Sequence, residues 1–441
     1  MQVTKISDNY EYWYFDNQEE YFLNIEKLLN LGYQFSDRVN ICVELKKENH
    51  FILLSILKVE KITSDIKLEL AKFNVEYKLV KPNYKRSMLN IISSIRNYFG
   101  YHANYETDQH IDEILSSKSY KNIVIMLLDG LGENILEYNA KPDSFLKKYH
   151  SYTNTSIYPS TTAASTTATK NGLAPIVTGW LGWENYFHEI KRNIVLFTGR
   201  NYVTNEETGF NPYKVIPYQF FFADMDVNGQ IIEPDFNEVN YKFKDVLKKS
   251  LKNFKKEVNN IQYVYFTQPD TIMHEYGSYS KQALDIIAEI DQELVSYVNN
   301  LPEDTLLIIS ADHGHTNVLP IELWACETIN KRLKRRPSND SRCISFSVKY
   351  EYKKDFMKIF NSLFGYAYQI YPTAELIADE YFGLKTDVIN ERSKDFLGDF
   401  IAIGINNYYF NYRAKDDAVF KSHHAGITAD EMLVPVVIYG K

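Results

Sequence analysis

Three aspartates and three histidines, Asp129, Asp270, His274, Asp312, His313 and His424, stand at or near the ends of apolar runs, with a hydroxyl-rich turn, Ser160-Thr161-Thr162, among them. Carboxylate and imidazole together hold zinc, or less selectively manganese, and leave coordination positions open for substrate oxygens. Two such ions about 4 Å apart can polarise a phosphoryl group, activate an attacking oxygen and neutralise a leaving one. The set predicts a phosphoester hydrolase with two divalent ions and a threonine nucleophile.

Positioning these side chains requires strands. The runs Asn122–Leu128, Ile261–Phe266 and Thr305–Ala311 carry few polar residues and read as parallel strands buried on both faces. They lead into Asp129-Gly130, into Pro269-Asp270 with His274 four positions on, and into Asp312-His313-Gly314-His315. Open α/β sheets bind ligands at such carboxyl ends. A further strand is expected over Met432–Tyr439, just after His423-His424-Ala425-Gly426.

The hydroxyl turn follows an expected strand end at Pro159, and an Ala/Thr-rich helix is predicted from near Thr162 to a stop at Gly172. A hydroxyl at a helix N-terminus faces unsatisfied N–H groups, which stabilise its alkoxide, and a nearby metal lowers its pKa further.

With these motifs the chain resembles the type I phosphodiesterase and nucleotide pyrophosphatase branch of the alkaline phosphatase superfamily, over roughly residues 85–320 and 420–441. The family's aromatic-Pro-Thr-x-Thr turn corresponds to Tyr158-Pro159-Ser160-Thr161-Thr162, with Ser in place of the first Thr, and its Thr-Gly-Leu-x-Pro to Asn171-Gly172-Leu173-Ala174-Pro175. The resemblance implies that Thr162 is the nucleophile. Its Pro-Asp-x-x-x-His falls on Pro269–His274, and its closing His-x-Gly on His424-Ala425-Gly426. Asp270, His274 and His424, rather than His423, are thereby implied as one metal site, and Asp129, Thr162, Asp312 and His313 as the other. The implied fold class is α/β, alkaline-phosphatase-like, with a central, mostly parallel sheet sandwiched by helices, a small N-terminal α/β domain and an inserted cap.

The chain departs from the family at two points. The Asn that holds a phosphoryl oxygen falls in register near Trp183, so that Asn185 is the nearest amide and Asn185 and Trp183 become the substrate-contact candidates. The second histidine of Asp312-His313-Gly314-His315 resembles alkaline phosphatase proper, which implies that His315 supports a metal-ligand carboxylate from outside the coordination shell.

Composition bounds the remaining possibilities. The length of 441 residues suits one large catalytic domain with additions, or two to three domains. No apolar stretch approaches the roughly 20 residues of a membrane span, and the first residues lack a signal-peptide layout. Three dispersed cysteines, Cys42, Cys326 and Cys343, predict a reducing, cytoplasmic setting. A net charge of −8 argues against stable nucleic-acid or anionic-membrane binding. The basic run Lys331–Arg336 reads as the solvated end of a helix. Nothing in the sequence sets the oligomeric state.

Three regions follow. Residues 1–80 predict an accessory α/β domain, with helices over Glu19–Leu31 and Asp65–Phe73 and strands over Val39–Leu45 and Phe51–Val59. Residues 81–320 with 420–441 form the catalytic domain, opened by an amphipathic helix bearing Met88, Ile91, Ile92, Ile95 and Phe99. Residues 321–419, with a strand over Cys343–Tyr350 and a helix over Lys353–Phe364, predict an inserted cap.

The expected substrate is a small phosphoester or nucleotide, with Trp180, Trp183, Tyr186 and Phe187 as a wall for a flat leaving group. Lys170 is the only basic side chain between Tyr158 and Asn185, with Arg192 and Arg200 in the next segment. A monoester dianion calls for an added cation, so a diester is the expected substrate. The alternatives are a phosphomonoesterase or phosphosugar mutase on the same scaffold, or a noncatalytic phospho-ligand-binding protein.

Overall fold

The computed structural model describes the whole chain except residues 235–240 and 414–418. Its central sheet runs, edge to edge, Asn228–Ile232, Asn260–Phe266, Asn122–Leu128, Thr305–Ser310, Leu433–Gly440 and His150–Thr155. The first four strands are parallel, and the 433–440 strand lies antiparallel to both of its neighbours. The 122–128 strand sits between two parallel neighbours that follow it in the chain, so the connections diverge there and open a crevice at the carboxyl ends.

Alternation within each strand fills both faces of the sheet. Ile123, Ile125 and Leu127 join one core with Ile261, Tyr263, Leu306 and Ile308 beneath the Met88–Tyr98 helix. Val124, Met126 and Leu128 join the opposite core with Val264, Phe266, Leu307 and Ile309 beneath the Phe243–Asn253 and Lys281–Asn300 helices. Every residue of the 122–128 strand is buried, which is why Ile123–Leu128 is a continuous apolar run. Each such Leu or Ile contributes about 1.5–3 kcal/mol relative to leaving it in water.

The Thr162–Asn171 helix is buried along its whole length, so small Ala and Thr side chains fit it where longer ones would not. Its hydroxyls bond within the helix, Thr166 to the carbonyl of Thr162 at 2.7 Å and Thr169 to that of Ser165 at 2.9 Å. Gly172 closes it in the left-handed region at φ 72°, a conformation that costs glycine least. The preceding strand ends at Thr155, four residues before the Pro159 at which its end was expected.

Two further sheets flank this body. The N-terminal one runs Gln2–Ser7, Tyr10–Tyr14, His50–Ser55, Cys42–Lys47 and Gln34–Val39. The strand expected over Val39–Leu45 is instead a hairpin, broken where Asn40 takes a φ of 54°. The other sheet joins Tyr368–Pro372, Phe400–Gly404, Cys343–Phe346 and Ser338–Asn339 to Glu184–Phe187 and Arg192–Val195. Residues 184–195 therefore share a sheet with the inserted stretch 321–419, and that stretch shares one apolar core with the N-terminal sheet.

The basic run Lys331–Arg336 follows the end of the Glu327–Asn330 helix, with Lys334 and Arg336 exposed, but it is also tied to distant segments. Lys331 pairs with Glu26, Arg335 lies 4.2 Å over the Tyr186 ring, and Arg336 donates to the Arg413 carbonyl at 2.8 Å. Its partners lie far away in sequence, which spacing along the chain cannot reveal. All three cysteines are buried and free, and no helix among the described residues is long and apolar enough to cross a membrane.

Candidate active site

Asp129, Asp270 and Asp312 project from the carboxyl ends of three adjacent parallel strands. The Asp129 amide donates to the Phe266 carbonyl at 2.9 Å and the Asp270 amide to the Asp129 carbonyl at 3.0 Å, which ties two of the ends together. Close backbone packing holds the third. A Cβ on Gly132 would lie 2.5 Å from the Gly314 Cα, and one on Gly314 would overlap the Asp430 carbonyl. Only glycine permits the loops after the 122–128 and 305–310 strands to touch in this way.

Around Thr162 the distances describe a shared centre. His313 Nε2 lies 3.2 Å from Thr162 Oγ1, 3.3 Å from Asp129 Oδ1 and 3.5 Å from Asp312 Oδ2, while Thr162 Oγ1 is 3.5 Å from both Asp129 oxygens. Asp312 Oδ1 accepts from the Gly130 and His313 amides, each at 3.1 Å. Its Oδ2 is buried with no hydrogen-bond partner among the described residues. A buried carboxylate oxygen left open in this way fits a metal ligand.

The second group gathers on Asp270 Oδ1, which lies 3.3 Å from His274 Nε2, 3.6 Å from His424 Nε2 and 2.6 Å from His315 Nε2. The His313 and His424 rings stack at 3.7 Å, so the two groups adjoin. By donor-atom proximity, Asp270, His313, His315 and His424 form one potential metal-holding set and Asp129, Asp312 and His313 the other. His315 thus enters the first set, and His274 stands beside it, against Asp270 and the His315 and His424 rings.

Hydrogen bonds at the far ring nitrogens decide which imidazoles can ligate. Nδ1–H of His274 donates to the Ser422 carbonyl at 2.9 Å, that of His313 to the Gly314 carbonyl at 3.0 Å and that of His424 to the Ser160 carbonyl at 3.1 Å. Each leaves an Nε2 lone pair facing the carboxylates. His423 differs, because its Nδ1 is engaged by the backbone of the next residue, 2.8 Å from the His424 amide nitrogen and 3.1 Å from the His424 carbonyl. Burial pulls His315 down to about 4, so the ring is neutral, held between Asp270 Oδ1 at its Nε2 and Ser422 Oγ, 2.8 Å from its Nδ1.

Electrostatics favour added cations here. Burial, then the neighbouring Asp312 and Asp270, push the Asp129 carboxyl well up, and burial raises Asp312. Burial also works against ionised Asp270, but His274 and His315 outweigh it and hold that carboxyl well below its usual range. Three buried carboxylates in contact are costly without positive charge, and a divalent ion at each group would supply it.

These groups open on a cavity of about 280 Å³ whose wall includes Thr161, Thr162, Trp183, His274, Asp340 and His424. Sequence reasoning missed several of the lining residues: Tyr202, Asp340, Tyr412, Arg413 and Phe420. Tyr202 and Tyr412 stack at 5.4 Å, with the Arg413 guanidinium 5.4 Å from the Tyr202 ring centre. Of the expected aromatic wall only Trp183 lines the cavity. Trp180 and Phe187 are fully buried in the apolar core, and Tyr186 lies beneath Arg335. Asn185 is also fully buried and does not line the cavity; its amide nitrogen and oxygen lack partners among the described residues. Lys170 is turned away to Glu233, and Arg200 pairs with Glu207.

The sequence profile of the type I phosphodiesterase / nucleotide pyrophosphatase family matches residues 123–427. No curated protein sequence matches the chain. Among solved structures, the fold is similar to murine ectonucleotide pyrophosphatase / phosphodiesterase 5, an inactive form in complex with AMP, with a TM-score of 0.54 at 16% identity, covering 72% of this chain and 87% of that one. The human counterpart gives 0.53 at 16% identity, covering 72% and 87%. Phosphonoacetate hydrolase from Sinorhizobium meliloti 1021, in complex with phosphonoformate, gives 0.52 at 12% identity, covering 71% and 89%.

Proposed function

We propose that this chain, which belongs to the type I phosphodiesterase / nucleotide pyrophosphatase family and is a phosphoric ester hydrolase, cleaves small phosphodiesters or nucleotides through a phospho-threonine intermediate at Thr162. The observation that carries this reading is the position of Thr162 Oγ1, at the first residue of a helix, 3.2 Å from His313 Nε2 and 3.5 Å from both oxygens of Asp129.

Asp270, His274 and His424 would hold one divalent ion, with His315 bracing Asp270, and Asp129, Asp312, His313 and Thr162 the other. This nitrogen and oxygen donor set suits zinc, with manganese as the alternative. When bound, such ions supply charge neutralisation to the attacking and leaving oxygens. The chain contributes the rest. The Thr162 oxygen attacks phosphorus, the ester bond to the leaving alcohol breaks, and water then cleaves the Thr162–phosphate bond in the second half of the cycle. The unsatisfied N–H groups of the first helical turn face the phosphoryl oxygens and stabilise their charge. Trp183 offers a flat surface to the leaving group. The murine neighbour's complex with AMP supports a nucleotide-sized ligand.

The test strips metal with a chelator, restores zinc or manganese, and measures hydrolysis of bis(p-nitrophenyl) phosphate, dinucleotides and nucleoside triphosphates. Thr162→Ala should keep fold and most metal while losing roughly 10⁴- to 10⁶-fold in kcat. Thr161→Ala should stay within about tenfold, since its hydroxyl attacks nothing. Reversal of the two effects would move the nucleophile by one residue.

A further inference from the structure

One acid on the cavity wall has no place in this chemistry. Asp340 is 4% exposed, and its Oδ2 accepts the Thr161 hydroxyl at 2.8 Å, directly beside Thr162. Its Oδ1 is buried without a partner among the described residues. The hydroxyl of Thr161 is thereby spent on Asp340 and makes no capping bond to the helix it precedes.

The backbone is built to keep the acid there. Asn339, just before it, takes a φ of 98°, which non-glycine residues adopt at a cost and which concentrates at functional sites. Its carbonyl presses on Gly182 so closely that a Cβ there would lie 2.6 Å from the Asn339 oxygen. Gly182 precedes Trp183, so the same contact fixes two parts of the cavity wall. The Asp340 amide donates to the Cys343 carbonyl at 3.1 Å, closing the turn.

We propose that Asp340 sets the charge preference of the cavity, admitting singly charged diesters and penalising doubly charged monoesters. The inference rests on the phosphodiesterase reading above. Coulomb energy is linear in charge, so a fixed carboxylate opposes entry of a dianion about twice as strongly, in free energy, as entry of a monoanion. Metal ions attract the dianion by the same rule, but they stand in wild type and variant alike, and removing the acid alone isolates its effect. The arginine on the wall, Arg413, leans its guanidinium over Tyr202. Burial lifts the Asp340 carboxyl to about 6, below the pH of an assay run at 8, where the acid is ionised. A carboxylate on the wall beside the attacking threonine is a repulsive specificity element.

The experiment compares wild type with Asp340→Asn, both loaded with the same metal at pH 8, on bis(p-nitrophenyl) phosphate and p-nitrophenyl phosphate. If neutralisation multiplies kcat/KM for the diester by a factor f, that for the monoester should rise by about f squared, and the diester-to-monoester ratio should fall by roughly threefold to tenfold. Inhibition by sulfate and methanesulfonate, whose charges are fixed, should shift the same way, with sulfate tightening more. Asp340→Ser, with the same expectations, replaces the Asn variant if that variant does not fold. An unmoved ratio, or equal losses on both esters, overturns the proposal. Wild type that cleaves neither ester overturns the phosphodiesterase reading instead, whereas diester cleavage with an unmoved ratio sinks only the role of Asp340.

Discussion

Arg342 and Glu431 form a fully buried pair whose disruption should be costly. The guanidinium meets the carboxylate through two parallel bonds, Nε to Oε1 at 2.6 Å and Nη2 to Oε2 at 2.7 Å. Glu431 also accepts from the Gly426 amide at 2.7 Å and the Thr428 hydroxyl at 2.7 Å, while Arg342 Nη1 reaches the Asn406 and Tyr408 carbonyls. Arg342→Met leaves a buried carboxylate with neutral donors only, at a cost of about 3–5 kcal/mol. The abandoned Asn406 carbonyl adds about 1 kcal/mol, while that of Tyr408 keeps the Tyr368 hydroxyl at 3.4 Å. Urea unfolding of the metal-stripped protein avoids any contribution from bound ions. At a slope of about 3 kcal/mol per molar, the midpoint should fall by roughly 1–2 M. Gly426 lies two residues beyond His424, so metal content should fall as well. The double variant Arg342→Met/Glu431→Met should lose much less than the sum of the two single changes, because no uncompensated charge remains. A midpoint shift below about 0.3 M for Arg342→Met, or strict additivity in the double variant, would show that the pair does not hold the His424 loop.

Two further predictions concern the site and its surroundings. Asp270→Asn or His424→Ala should deplete one ion, and Asp129→Asn, Asp312→Asn or His313→Ala the other, with metal analysis showing partial occupancy each time. His423→Ala should leave occupancy intact, since its Nδ1 is engaged by the His424 amide, and loss of metal there would reverse the assignment of the closing motif. Burial lifts the Glu184 carboxyl from its usual 4.5 to about 8. Below pH 4.5 both folded and unfolded chains hold this proton; between 4.5 and 8 only the folded chain does, so this group's contribution to stability declines as pH rises and levels off above 8. Glu184→Gln should match wild type near pH 4.5 and exceed it by at most about 5 kcal/mol above pH 8, and a pH-independent difference would contradict the burial argument.

The catalytic core was legible because its determinants are local. A strand buried on both faces must be apolar throughout, so Asn122–Leu128 and Thr305–Ser310 stand out as runs, and the first polar residues beyond them fall at the crevice. The same logic locates the Thr162 helix, whose Ala and Thr content and closing Gly172 mark both its tight packing and its end. Asp129, Asp270 and Asp312 are brought to one end of the sheet by parallel register, which aligns Leu128 with Phe266 and Leu127 with Ser310. Aromatic enrichment was a poor guide by comparison. Trp180 and Trp183 are three residues apart, yet one is in the core and the other on the cavity wall.

What the sequence hid depends on contacts between distant segments. Asp340 reads as part of a loop after a basic run, and only its pairing with Thr161, 179 residues away, brings it to the site. The same holds for residues 1–80, whose role could not be read from spacing. Their sheet shares an apolar core with the inserted stretch through Phe22, Leu45, Phe360 and Phe410. Polar contacts reinforce it: Gln18 donates to the Pro320 carbonyl at 2.8 Å, and Tyr408 to Asn40 at 3.0 Å. Leu319–Glu322 and Tyr408–Asn411 pair as parallel strands against this core, and the second of them leads directly into Tyr412 and Arg413 on the cavity wall. The N-terminal sheet therefore acts as a brace for the far wall of the site, through a chain of packing that runs from Phe22 and Asn40 to Tyr408 and on to Tyr412. The three aspartates of the opposite wall follow directly from strands of the central sheet.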